Sequence, residues 1–334
     1  MSATDAPAVT PERIMQLVWG YAPAVILAAA INNSVFDLLD AGPKTVEELA
    51  KASGSSERGL RAILNALTAF QFVAKTPDQR YALTPESAAF LVSSKPGYLG
   101  KYVEFNALKL LPTWLRLPDV VRAGKPVEAV GEEFFADLVE PIFTASYATT
   151  QTAAKALDLA STQGPISLLD IGAGAGVWGI GLAQHSPHIS VTAVDWPAVL
   201  DVTKCMAARF GMPQRFSYIE GNFQSVDFGR DHNLVTVGHI LHGEGAEGSR
   251  ALLKKAFDAL APGGRIVISE FLVNDDRTGP PAGLIFAVNM LVHTNAGDTF
   301  SFEEISGWLK EAGFANARRI DPPGPVSIIL AAKP

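Results

Sequence analysis

Cysteine is almost missing: Cys205 is the one cysteine in 334 residues. No internal disulfide can form, which fits a reducing compartment. Basic excess is missing too. The chain carries 27 basic and 34 acidic residues, a net charge of −7, whereas phosphate contacts need a basic face. Nucleic acid is therefore not the expected partner. Long apolar runs are also absent. The longest stretch near the N-terminus, Ala22 to Ile31, has about ten residues before Asn32 and Asn33, half of the roughly 20 that a membrane span needs. The opening MSATDAPAVTPER lacks the basic and apolar regions of a signal peptide. These absences lead us to expect a soluble, cytoplasmic protein with no membrane partner. Hydrophobic residues make up 48% and charged residues 18%, so a core can form without cross-links, and the length suits two domains.

The stretch that organises the chain is Ile166 to Gly176, ISLLDIGAGAG. A short apolar run ending at Asp170 and Ile171 predicts a buried parallel strand. Gly172, Gly174 and Gly176 let the backbone turn sharply and approach a ligand. Val177, Ile180, Leu182 and Ala183 then fit a helix whose first amides would point at whatever lies over the turn. The dinucleotide fingerprint is G-x-G-x-x-G, and this loop reads G-x-G-x-G, with the third glycine one residue early. Residues 189–194 predict a second strand ending at Asp195, nineteen residues past Gly176. A carboxylate there can accept both ribose hydroxyls of a nucleoside. As a plain structural feature, the same pair would be a tight turn and a helix cap before Pro197.

Further strands are predicted near 215–219, 233–238, 265–272, 316–321 and 326–332, with helices between, the clearest being Glu247 to Leu260. Ser301 with Glu304 marks a helix start and Gly313 its stop. Such alternation predicts an α/β domain with a mostly parallel sheet. The last two strands, joined by Pro322-Pro323-Gly324, must be antiparallel. Ligands bind at the C-terminal strand ends, which carry Gly172, Asp195, Gly221-Asn222-Phe223, His239 to His242, and Glu270.

LLDIGAGAG, then AVDWP, then GNF at 221–223, then LAPGGRIVISE at 260–270 together resemble the class I S-adenosylmethionine-dependent methyltransferases. With the helical N-terminal half, the order of parts is similar to that of the small-molecule O-methyltransferases of the plant caffeate and bacterial polyketide or phenazine type. The resemblance spans nearly the whole chain. It implies a Rossmann-like sheet of seven strands with the last antiparallel, S-adenosyl-L-methionine as cofactor, a small aromatic hydroxyl acceptor, and a homodimer through the N-terminal helices. Three segments are expected: a helical and winged-helix dimerisation domain at 1–100, a helical linker and acceptor-pocket segment at 101–160, and the catalytic domain at 161–334.

Within the first segment, TVEELAKASG and SSERGLRAILNALTAF predict two helices, and 72–83 a small hairpin, together a winged helix. Its second helix offers only Arg58 and Arg61, and its wing Lys75 and Arg80, too few cations for a DNA reader. Residues 101–147 are dense in aromatics, and Phe143 and Tyr147, nearest the catalytic domain, are candidates either for core or for an aromatic-lined pocket. Asn289 and His293 are further acceptor-site candidates.

Methyl transfer to a hydroxyl needs orientation and a base with a pKa near neutrality. In the resembled family a strand-end His-Asp-Trp supplies that base, and here the match is His242-Gly243-Glu244. Glu270 matches a glutamate that orients it, fixing the imidazole tautomer. A second family glutamate falls at Thr299. The resemblance assigns cofactor contacts to Asp170, Gly172, Gly174, Gly176, Asp195, Trp196, Gly221, Asn222, Phe223 and His239. Asn222 stands for a usual aspartate on the adenine amino group, and Gly238 for a usually bulkier or basic residue. No metal is expected. The alternatives are a C-methyltransferase on the same scaffold, in which iron would sit on His242 and His293, and a relative that binds the cofactor without methylating.

Overall fold

The computed structural model describes residues 9–128 and 130–334; part of the N-terminal stretch read for a signal sequence lies outside them. The chain divides into two compact units, Met1–Pro112 and Thr113–Pro334. The boundary falls inside the segment expected to run from 101 to 160.

The first unit is helical. It comprises α1 (Glu12–Val18), α2 (Ala22–Asn32), α3 (Val35–Asp40), α4 (Val46–Ser53), α5 (Glu57–Ala69), the antiparallel pair β1 (Val73–Lys75) and β2 (Tyr81–Leu83), α6 (Pro85–Phe90) and α7 (Gly100–Phe105). A π-helical turn, Asn106–Leu110, leads into α8 (Leu111–Trp114). The α4 capping box forms as the sequence predicts, Thr45 with Glu48, and Gly54 closes the helix at φ 71°. Phe36, Leu49, Leu60, Leu64 and Leu67 are fully buried around Val73 and Tyr81.

By contrast, α1 buries nothing. Ile14, Leu17, Val18 and Trp19 are each more than half exposed. By length and composition Glu12–Asn32 could cross a membrane, with a mean hydropathy of 1.8. This corrects the ten-residue run expected from sequence. The polar residues Glu12, Arg13 and Gln16 interrupt the string of apolar letters, but the helical path continues through the turn at Trp19–Tyr21.

The second unit carries α9 (Leu117–Ala123) and the long α10 (Glu132–Ala156) ahead of the sheet. The sheet strands and their helices follow in order: β3 (Ile166–Ile171), α11 (Val177–Ala183), β4 (Ile189–Asp195), α12 (Pro197–Arg209), β5 (Phe216–Glu220), β6 (His232–Gly238), α13 (Leu241–Ala259), β7 (Leu260–Glu270), α14 (Pro281–His293), α15 (Phe302–Ala312), β8 (Ala315–Ile320) and β9 (Ser327–Ala332). The seven strands run in the order β5-β4-β3-β6-β7-β9-β8. β9 alone runs antiparallel to its neighbours β7 and β8, as the short 322–324 turn requires.

Alternation along the strands builds two cores. Leu168, Leu234, Val267 and Ile328 face α10, α11 and α12. Leu169, Val235, Ile266 and Ile329 face α13 and α15. Between β3 and β6 the strand order reverses, and the C-terminal ends of such strands are the usual place for a ligand in this kind of sheet.

Candidate active site

Gly172, Gly174 and Gly176 have φ of 63°, 57° and 75°, a region that side-chain-bearing residues rarely adopt. At Gly172 a Cβ would stand 2.3 Å from Ile240 Cδ1, so the glycine is also required by packing. The loop's amides are used inside the protein. Gly172 and Ala173 donate to the Val194 carbonyl at 2.9 and 3.1 Å, and Gly174 donates to Asp195 Oδ2 at 2.9 Å. The amides expected to face a ligand belong to the next turn, the start of α11, where that of Gly179 donates to Asp170 Oδ2 at 2.9 Å.

Asp170 is likewise turned inward. Its carboxylate accepts from Thr236 Oγ1 at 2.6 Å and from the Gly179 amide at 2.9 Å. Burial pushes its pKa up to about 7, against the pull of those two donors. It ties β3, β6 and the start of α11 together, so the expected direct cofactor contact becomes a scaffold role. Asp195 stands at the rim, with Oδ1 accepting from the Trp196 amide at 2.8 Å. Each carboxylate oxygen retains a lone pair beyond its amide bond. Burial raises the Asp195 pKa to about 6, opposed by the Gly174 and Trp196 amides and aided by the nearby charge of Glu132.

A loop at residues 221–226 follows β5. Asn222 Oδ1 accepts from the Gln224 amide at 2.8 Å, a local turn. Phe223 lies 3.9 Å from where a Cβ on Gly172 would be, so Phe223 and Ile240 flank the glycine loop. Lys255, which sequence reasoning missed, pins this loop through the carbonyls of Phe223 (2.7 Å), Gln224 (3.2 Å) and Val226. The Trp196 ring lies 5.4 Å from Phe135.

His242 opens α13, and Glu270 ends β7. His242 Nδ1 and Glu270 Oε2 are 2.6 Å apart. Glu270 Oε1 also accepts from the His242 amide at 3.3 Å. Burial alone would raise the Glu270 pKa, but His242, its hydrogen bond and His239 hold it below the ordinary carboxylate value. The loop at Thr294–Thr299 supports His242 from the other side, since the Asp298 amide donates to its carbonyl at 2.9 Å. Thr299, standing for the second family glutamate, is 1% exposed, and among the described residues its hydroxyl has no partner. α13 breaks at Gly245 (φ 68°, ψ 178°), against Ala296 of that loop.

Beside His242 stands an aromatic wall that the sequence did not single out. Phe286 meets the His242 ring edge to face at 4.8 Å and stacks on Phe271 at 4.0 Å. Phe134 stacks on His293 at 5.7 Å. His293 Nδ1 reaches the Asn289 carbonyl at 2.9 Å and its Nε2 reaches Thr113 Oγ1 at 3.0 Å. Trp114 Nε1 donates to Asn289 Oδ1 at 3.0 Å. Asn289 and His293 thus fasten residues 113–114 to α14.

Phe143 and Tyr147 lie elsewhere. They stack on each other and on Phe210 at the end of α12, and Tyr147 donates to Gln184. Helical spacing puts these i and i+4 residues on the α12-facing side of α10, where Phe143 is buried in the core and Tyr147 packs half-buried against it. Phe134, nine residues before Phe143 in the same aromatic-dense segment, stacks on His293 instead.

A family model described as the O-methyltransferase domain matches residues 114–315, and a second, the O-methyltransferase dimerisation domain, matches 15–93. The chain belongs to the O-methyltransferase family. It is an S-adenosylmethionine-dependent methyltransferase. Among its relatives, 3-hydroxy-5-methyl-1-naphthoate 3-O-methyltransferase of Streptomyces sahachiroi is 32% identical, covering 99% of this chain and 98% of the relative. A solved structure from Nostoc punctiforme assigned to the O-methyltransferases superposes with a TM-score of 0.89 at 28% identity, covering 98% of this chain and all of that one. PigF of Serratia, solved with SAH, gives 0.83 at 25% identity, covering 97% of this chain and all of that one.

Proposed function

We propose that this methyltransferase alkylates a hydroxyl of a small aromatic acceptor, with His242 as general base and Glu270 as the group that holds it. The observation that carries this is the 2.6 Å contact between His242 Nδ1 and Glu270 Oε2. Glu270 accepts the Nδ1 proton, which leaves the lone pair on Nε2. The acceptor hydroxyl gives its proton to Nε2, and the oxygen becomes the nucleophile. The carboxylate stabilises the imidazolium that results. The cofactor supplies a methyl group already activated on a sulfonium.

In the same reading Asp195 accepts the ribose hydroxyls, and Phe223 and Asn222 hold the adenine. Trp196, His239, Gly221 and the loop 172–176 enclose the rest, with Asp170 behind them. Phe271 and Phe286 present the stacked surface that an aromatic ring packs against, consistent with the naphthoate named for the relative. Trp114 and Phe134, fastened to Asn289 and His293, close the acceptor side. That gives the 101–160 segment its part in the pocket. In this reading His293 fastens Thr113 to α14 through its two ring nitrogens and takes no chemical step.

The exposed apolar face of α1, inside or beside the matched dimerisation domain, is assigned to a homodimer, with the α4–α5–hairpin module as its winged-helix scaffold. The dimer acts in the cytoplasm without nucleic acid or membrane. The test is calorimetric titration with S-adenosylmethionine, followed by a screen of phenols and hydroxynaphthoates with product analysis by mass and NMR. An O–CH₃ product is expected. Methylation at carbon, or no consumption of cofactor with any acceptor, would refute the assignment.

A further inference from the structure

His239, His242 and Glu270 each offer a ligand atom, and these atoms lie within 4.8 Å of one another. Backbone topology brings them together. The His239 amide donates to the Ser269 carbonyl at 2.9 Å, which sets His239 beside Glu270 at the strand ends, and His242 follows in the first turn of α13. His239 holds φ at 63°, a conformation uncommon and costly for a residue with a side chain. Its ring sits 6.1 Å from that of His242 and 5.5 Å from that of Phe271. The polar contact recorded for the ring is Ser269 Oγ at 3.5 Å, the outer limit of a hydrogen bond.

We propose that His239, His242 and Glu270 form a binding site for a divalent transition-metal ion of the zinc class, and that this ion competes with methyl transfer for His242. Two imidazoles and one carboxylate, with a fourth position open, form a zinc donor set, whereas magnesium and calcium prefer all-oxygen ligands. With ligand bonds of about 2.0–2.2 Å, tetrahedral ligands stand roughly 3.4 Å apart. At its widest, 4.8 Å, the cluster must therefore close by about 1.4 Å, while the His242–Glu270 pair, at 2.6 Å, opens by about 0.8 Å. The competition follows from proton placement. Metal-free, Glu270 holds the Nδ1 proton and Nε2 is basic. An ion bound through Nδ1 takes that lone pair, the ring proton moves to Nε2, and the base is lost.

The test uses the full chain, stripped with a chelator, titrated with zinc chloride against a chromophoric chelator, and with cobalt(II) for its visible spectrum. One ion per chain is expected, with a tetrahedral cobalt spectrum. His239→Gln and Glu270→Gln, on different elements and checked for folding by circular dichroism, should each weaken binding at least thirtyfold. No binding at micromolar zinc, or undiminished binding in both folded variants, would overturn the site. Saturating zinc should slow methyl transfer at least tenfold, reversibly with chelator; an undiminished rate with the site filled would overturn the competition. That second arm rests on His242 being the base, which is tested separately in metal-free buffer, so the two failures are distinguishable.

Discussion

Replacing Glu270 by glutamine tests the base assignment most directly, because the shape stays and the charge goes. Glu270 accepts twice from His242, at 2.6 Å from Nδ1 and 3.3 Å from the amide. A glutamine has one oxygen and one NH₂, so one of the two His242 donors must face another donor. If the oxygen takes the ring N–H, the charge assistance is lost. Hydrogen bonds to charged groups contribute about 1.5–3 kcal/mol against 0.5–1.5 for neutral ones, a difference near 1 kcal/mol or fivefold in rate. If the NH₂ faces Nδ1, the ring is held in the other tautomer and Nε2 carries a proton. That outcome costs about 10²–10⁴ in rate, the range for losing a general base. The short contact is to the ring, while the backbone amide cannot turn away, so the second arrangement dominates. We expect kcat to fall at least 100-fold while the cofactor Kd changes less than threefold. The assay is transfer of labelled methyl to a phenolic acceptor, with affinity by calorimetry. In a His242→Gln background the same change should cost less than twofold, since the pair acts as one unit. Activity within threefold of the parent, or losses that simply multiply, would refute the reasoning.

Asp195→Ala should weaken S-adenosylmethionine binding by about 1.5–3 kcal/mol, the range for a hydrogen bond to a charged group, read by calorimetry at pH 7.5. Burial raises this carboxyl to about 6, and ribose hydroxyls donate to its ionised form, so wild-type affinity should decline as pH falls through 6, by at most tenfold per unit; Asp195→Asn should flatten that decline. Phe286→Leu removes the stacking surface beside His242 and should lower acceptor kcat/KM by roughly 2- to 12-fold, from about 0.5–1.5 kcal/mol for an aromatic pair, with cofactor Kd unchanged. Leu17→Asp with Trp19→Asp places two charges on the exposed face of α1 and should halve the mass seen by analytical ultracentrifugation; an unaltered dimer would reject that face as the interface.

Periodicity and capping determined much of this protein by themselves. The seven strands were each expected close to where they lie, most of them from a short apolar run, and the antiparallel β9 followed from a three-residue turn too short for a crossover. Thr45 with Glu48 and Ser301 with Glu304 marked helix starts that the structure reproduces. Gly172 to Gly176, Asp195, His242 and Glu270 were found because strand-end chemistry depends on position along the chain, and strand order in a parallel sheet brings those ends to one edge. Tertiary structure decided what depends on rotation and on distant partners. An i to i+4 pair can face either way round a helix, and only packing against Phe210 shows that Phe143 is buried in the core with Tyr147 half-buried beside it. The direction of the Asp170 carboxylate, spent on Thr236 and Gly179, and of the loop amides, spent on Val194 and Asp195, required the adjacent strands in place. Phe271 and Phe286 are fifteen residues apart in sequence and 4.0 Å apart as rings, a contact that no local pattern encodes. Local free energies along the chain set the elements and their ends, whereas the direction a side chain takes is chosen by neighbours that only the folded sheet brings within reach.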